Sequence, residues 1–259
     1  MSPQPPDLPP HVAALADRLA TLPGAVAVVL GGSRAAGTHR PDSDWDLGVY
    51  YRSSERAVDP EDVRRLGHPG YVSALGEWGP IVHGGAWLSV EGTPVDVLFR
   101  DLDRIEGWAA DAGRGEFEVL TQGGYVVGAP TYLPVGELAI GRPISGTVPR
   151  PEFSEALAAA ASGHWTGRAS TSLMFAGGYA EAGDPVACAG MLVDAVLSAA
   201  HARLAARREW VLNEKRLVER AGLHDTRPLL AHPGGTSAEL RATTAAVRDR
   251  LGIAPLVAR

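Results

Sequence analysis

At 259 residues the chain is long enough for one large domain or two small ones, either able to bury a core. A composition of 45% hydrophobic and 21% charged residues excludes collagen-like and disordered classes, and no run of eighteen apolar residues suggests a membrane span. The formal charge of −6 is uneven: residues 1–149 carry 11 basic and 19 acidic side chains (−8), residues 150–259 carry 13 and 11 (+2). Neither half has the clustered basic face that nucleic acid requires, so an acidic first half favours a small or cationic partner over a polyanion.

The opening MSPQPPDLPP lacks the basic and apolar regions of a signal peptide and reads as a disordered or polyproline-like tail over 1–10. Apolar spacing in HVAALADRLATL predicts a helix over 11–22, stopped by Pro23-Gly24, and AVAVVL at 25–30 is a short buried strand. A second strand is expected over 46–51 and a short helix over 59–66. The runs AWLSV (86–90) and PVDVLFR (94–100), separated by Glu91-Gly92-Thr93, form a predicted hairpin. Asp101 is placed to cap a helix through about 112. Glycine and proline blur the signals from 117 to 149, and a domain boundary is expected within 141–151. Beyond it, helices are predicted over 152–182, 186–208, 214–221 and 237–251. The organisation read from this is α+β: a first domain over 11–145 with a mixed β-sheet flanked by helices, then a helical bundle over 146–259.

The single cysteine, Cys188, lies in an apolar helical pattern and reads as a small buried hydrophobe; it excludes an intramolecular disulfide and weakly favours the cytoplasm. Lys215 is the only lysine among 24 basic residues, which singles it out.

Chemistry concentrates in GGSRAAGTHRPDSDWDL, residues 31–47. Gly31 and Gly32 allow the backbone close to a ligand, and Ser33 begins a turn whose N–H groups and hydroxyl can receive phosphate oxygens. Asp44 and Asp46 flank Trp45 at a spacing that, in a strand, puts both carboxylates on one face. Two such carboxylates repel unless a divalent cation sits between them, and Mg²⁺ suits, since it leaves positions for water and phosphate. Asp96, in the middle of an apolar strand, needs a partner there, and the same centre provides one. Asp42, within Pro41-Asp42-Ser43, reads instead as a local turn residue.

An apolar strand, Gly-Ser, about ten residues, Asp-x-Asp and a later strand-borne Asp resemble the polymerase-β-like nucleotidyltransferase superfamily, and its small-substrate branch of antibiotic adenylyltransferases in particular. The resemblance implies a transferase using two Mg²⁺ ions and ATP or another NTP, moving an NMP, with AMP the first choice, to a hydroxyl with release of pyrophosphate. Asp44 and Asp46 would bind both ions, and Asp96 the acceptor-side ion while serving as general base. Gly32, Ser33, Arg34 and Lys215 would hold the nucleotide, and Glu91 would line the acceptor pocket or be a second base candidate. The acceptor class implied is an aminoglycoside-like or lincosamide-like antibiotic, hence resistance, in a cytoplasmic enzyme with no membrane or nucleic-acid partner. A homodimer is compatible with the small second domain. Two other readings stay open: the same chemistry on tRNA or protein in a toxin-like system, and a non-catalytic nucleotide-binding regulator.

Overall fold

Strand β1 (Ala25–Leu30) is an interior strand of the main sheet, its last four residues buried, as the apolar run AVAVVL allows on both faces. The computed structural model describes residues 6–254; residues 1–5 of the expected proline-rich tail lie outside them, and helix begins already at residue 10. Six strands form one mixed sheet in the order β3-β4-β5-β2-β1-β8, where β2 is Trp45–Tyr51, β3 Gly70–Val72, β4 Gly85–Val90, β5 Thr93–Asp101 and β8 Arg142–Gly146. Only β2 and β5 run parallel; the other neighbours are antiparallel. Two further short strands, β6 (Val119–Leu120) and β7 (Ala129–Pro130), pair with each other.

The β4–β5 hairpin closes through a two-residue loop, with Glu91 at φ 51° and Gly92 at φ 82°. Two successive positive φ values match the twist of the strands, and glycine takes the second at no steric cost.

Alternation sorts each strand. Val95, Val97 and Phe99 of β5, Ala86, Leu88 and Val90 of β4, and Leu47, Val49 and Tyr51 of β2 all enter one core. Helix α1 (Pro10–Ala20) covers that face with Val12, Leu15, Ala16 and Leu19, the spacing of one helical stripe. Truncating a fully buried leucine such as Leu15 to alanine would cost about 2–5 kcal/mol. The brief helix α2 (Gly32–Ala35) follows β1, and α3 (Pro60–Arg64), capped by the Asp59 carboxylate accepting from the Glu61 N–H at 2.9 Å, adds Val63 to the same core.

On the opposite face, α4 (Leu102–Gly113) follows β5 directly, the Asp101 carboxylate accepting from the Asp103 N–H at 3.1 Å. Helix α5 (Leu133–Ile140) brings Glu137 onto Arg100 in a two-pronged ion pair, 2.6 and 3.0 Å, with Arg100 only 2% exposed. This contact closes the face over the C-terminal halves of β2 and β5. Burial, with Glu137 nearby, also pushes the Tyr50 hydroxyl well above its ordinary pKa.

The chain divides into two compact units. The first holds the described residues through Gly113, then Phe117–Gly124 and Gly128–Glu152; the second holds Arg114–Glu116, Tyr125–Val127 and the chain from Phe153 onward. Strand β8, which pairs with β1, therefore belongs to the first unit, although its sequence RPISG carries no strand pattern.

The second unit is built on a hairpin of two long helices, α6 (Glu155–Ala182) and α7 (Pro185–Ala206), closed by α10 (Ser237–Leu251). The Ser154 hydroxyl caps α6 by accepting from the Leu157 N–H, and Gly183 ends it at φ 69°. The Asp184 carboxylate then caps α7, and a Thr236/Glu239 capping box starts α10. Between them lie α8 (Leu217–Arg220), a 3₁₀ turn at His224–Thr226 and α9 (Arg227–Ala231). Helix α7 has the length and apolarity of a membrane span, with mean hydropathy 1.4, but 56% of that stretch is buried inside the protein, as in a core helix. Cys188 is buried on it.

Candidate active site

The tip of β1 and the start of β2 are locked together. Gly31, one residue past β1, donates its N–H to the Asp46 carbonyl at 2.8 Å. Gly32 stands at φ 58°, and a Cβ built on it would lie 1.8 Å from Asp46 Oδ2. Only glycine lets the backbone press against that carboxylate, at a dihedral other residues rarely adopt. The turn continues through Ser33, whose carbonyl accepts from the Thr38 N–H at 2.9 Å.

Asp46 and Asp96 are direct partners in the parallel β2–β5 register. Both are partly buried and point to the sheet face away from the α1 core, where β2 alternates Asp46, Gly48, Tyr50 and β5 alternates Asp96, Leu98, Arg100. Asp44 precedes β2 and is exposed.

Arg34 organises the intervening loop. Its Nε donates to the Asp44 carbonyl at 3.1 Å, another guanidinium nitrogen donates to the Ser43 carbonyl at 2.6 Å, and the guanidinium lies 3.9 Å from the centre of the Trp45 ring. In this structure Arg34 fixes the strand entry that carries Asp44 and Asp46. Asp42 pairs with Arg40 at 2.8 Å, fully within the turn.

Glu91 occupies the β4–β5 turn, exposed, roughly 13 Å along β4 from the row that contains Asp96. Lys215 belongs to the second unit and is exposed. Its N–H donates to the Asn213 side chain at 3.0 Å, a local turn, because α8 begins only at Leu217 after Arg216 at φ 55°. The expected helix start at 214 is thus corrected: Asn213 caps a turn, and Lys215 lies outside the helix. Beside it, the Glu214 carboxylate accepts from the N–H groups of Val126 and Val127 at 2.8 and 3.0 Å.

A pair of carboxylates on neighbouring strands, with a glycine backbone pressed on one of them, is the hard-oxygen donor set that Mg²⁺ takes. The fit rests on Asp46 and Asp96. Among the described residues no three His, Cys, Asp or Glu side chains gather as a metal-holding group.

The row continues beyond the carboxylates. Trp87 of β4 is the register partner of Asp96, and Tyr71 of β3 is the partner of Trp87. Both are exposed, Trp87 at 55% and Tyr71 at 42%. Sequence reading passed over them, although the alternation in GAWLSV already sets Trp87 opposite Ala86 and Leu88.

Residues 12–102 match the family model described as nucleotidyltransferase domain. The class that fold and match define is an N-terminal nucleotidyltransferase domain, its mixed sheet flanked by helices, followed by a helical region. A nucleotidyltransferase-like protein from Exiguobacterium sibiricum is similar in structure over 93% of this chain and 73% of its own, at 11% identity and a TM-score of 0.45. No curated protein matches the sequence.

Proposed function

We propose that the first unit transfers a nucleoside monophosphate, AMP from ATP in the first instance, to a hydroxyl of a small molecule and releases pyrophosphate. The acceptor class is aminoglycoside-like or lincosamide-like. The observation that carries this reading is the Asp46–Asp96 register pair with Gly32 seated on the Asp46 carboxylate.

In this mechanism the turn at Gly32–Ser33 receives the triphosphate through its backbone N–H groups and the Ser33 hydroxyl. Asp46 and Asp96, with Asp44 at the strand entry, would hold Mg²⁺. Mg²⁺ would supply charge neutralisation for the phosphates and a lowered pKa for the acceptor hydroxyl. Asp96 takes the proton from that hydroxyl as its oxygen attacks the α-phosphorus. The bond from the α-phosphorus to the bridging oxygen then breaks and pyrophosphate departs. Arg34 keeps the Asp44–Asp46 segment in place through the Ser43 and Asp44 carbonyls.

The test is incubation of the purified protein with Mg²⁺ and each labelled NTP against a panel of aminoglycosides and lincosamides, following pyrophosphate beside an Asp46→Asn control. Acceptor-dependent release that the variant loses supports the reading. Nucleotide binding without release to any acceptor overturns the small-molecule assignment.

A further inference from the structure

The open face of the first unit's sheet carries one continuous row across four strands: Asp46 on β2, Asp96 on β5, Trp87 on β4 and Tyr71 on β3. Register partners project to the same side, with Cβ atoms about 5 Å apart. The phosphate-type turn sits at the tip of β1, on the far side of β2 from this aromatic end. The order across the sheet is therefore turn, two carboxylates, indole, phenol.

The aromatic end is built rather than incidental. Trp78 stacks on Trp87 with ring centres 4.8 Å apart and planes 18° from parallel. It fits because Gly85 has no side chain: a Cβ there would lie 2.9 Å from the Trp78 ring. Tyr71 tilts against Trp87 from the other strand at 5.6 Å and donates its hydroxyl to Glu77, whose other carboxylate oxygen accepts from the Ala74 N–H at 2.7 Å. More than half of Trp87 nevertheless stays uncovered, next to Asp96. Trp87 and Tyr71 are exposed side by side, and a contiguous aromatic patch beside a carboxylate is the kind of surface that marks a ligand-binding face.

We propose that Trp87, braced by Trp78 and Tyr71, is the seat on which the acceptor's ring lies while its hydroxyl faces Asp96. The proposal rests on the transferase reading for the identity of the ligand as acceptor. Position sets the triphosphate away from this seat, because the turn follows β1, three strands from β4. Chemistry narrows the occupant to a small molecule with a flat or C–H-faced ring: the indole face is electron-rich, and its neighbour on the next strand is Asp96.

The experiment is saturation-transfer NMR with kanamycin and with lincomycin as ring probes, on the wild type, Trp87→Ala and Trp87→Phe, with ATP and Mg²⁺ in a separate series. Acceptor KM is measured in parallel wherever transfer is detected. Ring protons of at least one probe are expected to receive saturation in the wild type, to lose it in Trp87→Ala and to keep most of it in Trp87→Phe, while the ATP base signals stay unchanged. Acceptor KM should rise about tenfold or more in Trp87→Ala, the worth of one lost stacking contact. Saturation that survives in Trp87→Ala, no saturation of either probe in the wild type, or loss confined to the ATP base would each overturn the seat. Probe binding through Trp87 with no transfer to any acceptor would sustain the seat and sink the transferase reading.

Discussion

Asp46 and Asp96 sit side by side on the only parallel strand pair of the main sheet, so residues fifty positions apart share one spot through backbone register alone. Neither depends on a flexible loop for its position. Removing the charge from Asp96 while keeping its shape therefore isolates its proton-accepting role. Asp96→Asn should lower the rate of pyrophosphate release on the order of 10²–10⁴-fold. Far-UV circular dichroism and the melting temperature should stay close to wild type, because the residue is only partly buried. A rate within threefold of wild type would remove Asp96 from the chemistry.

Gly32 makes a sharper demand. Alanine there meets Asp46 Oδ2 at 1.8 Å and must hold φ near 58°. The strain is worth about 1–3 kcal/mol, and relief requires the carboxylate or the turn to move. Gly32→Ala should cut transfer far more than it cuts stability, because the displaced group is the reacting centre's own carboxylate. Urea unfolding and pyrophosphate release, measured on the same preparation, give the comparison. Equal activity in the variant would mean that the turn's close approach to Asp46 has no part in function.

Much of this was legible in the sequence. The strand AVAVVL, the hairpin around Glu91-Gly92 and the long helices of the second unit follow from apolar periodicity and turn residues. The Gly-Gly-Ser turn stands out for its backbone freedom, Asp46 for its Asp-x-Asp spacing, and Asp96 because a carboxylate within an apolar strand requires a partner; register sets Asp46 and Asp96 side by side. Strands β3 and β8 were not legible: β3 has three residues, and β8 holds a proline and a glycine at the sheet's edge, where pairing with β1 is broken by a register shift. The Trp87–Asp96 juxtaposition was hidden for a different reason. Alternation gives the face of a side chain, but its neighbour on the next strand depends on register, which the hairpin's two-residue loop fixed.

In the second unit, Arg168 of α6 meets Asp194 of α7 at 2.6 Å, and the Ser172 hydroxyl donates to the same carboxylate at 2.6 Å. Arg168 also donates to the Val127 carbonyl at 2.8 Å. Asp194 is 14% exposed, and although burial alone would raise its pKa, Arg168 and Ser172 hold it below the ordinary value. Asp194→Ala strands a guanidinium between two helices. A fully buried pair would cost about 3–5 kcal/mol on losing one member; with Arg168 one-third exposed, about 2 kcal/mol is expected. Urea denaturation is the measurement, and a change below half a kcal/mol would show that the hub does not hold the hairpin.

His201 of α7 gives the unit a pH dependence. Its ring stacks on the fully buried Trp165 at 4.4 Å, it is 3% exposed, and neither ring nitrogen has a hydrogen-bond partner. Burial first, then the charges of Arg168 and Arg220, lower its pKa to about 4 from the ordinary 6.5. The folded state therefore binds fewer protons than the unfolded chain between those values. Stability from this group is complete above pH 6.5 and is lost as the pH falls toward 4, by up to about 3 kcal/mol. His201→Phe should keep the stack on Trp165 while removing the titration. The wild type is expected to lose stability between pH 6.5 and 4 more steeply than His201→Phe, and parallel losses in the two proteins would show that the acid sensitivity lies in other groups.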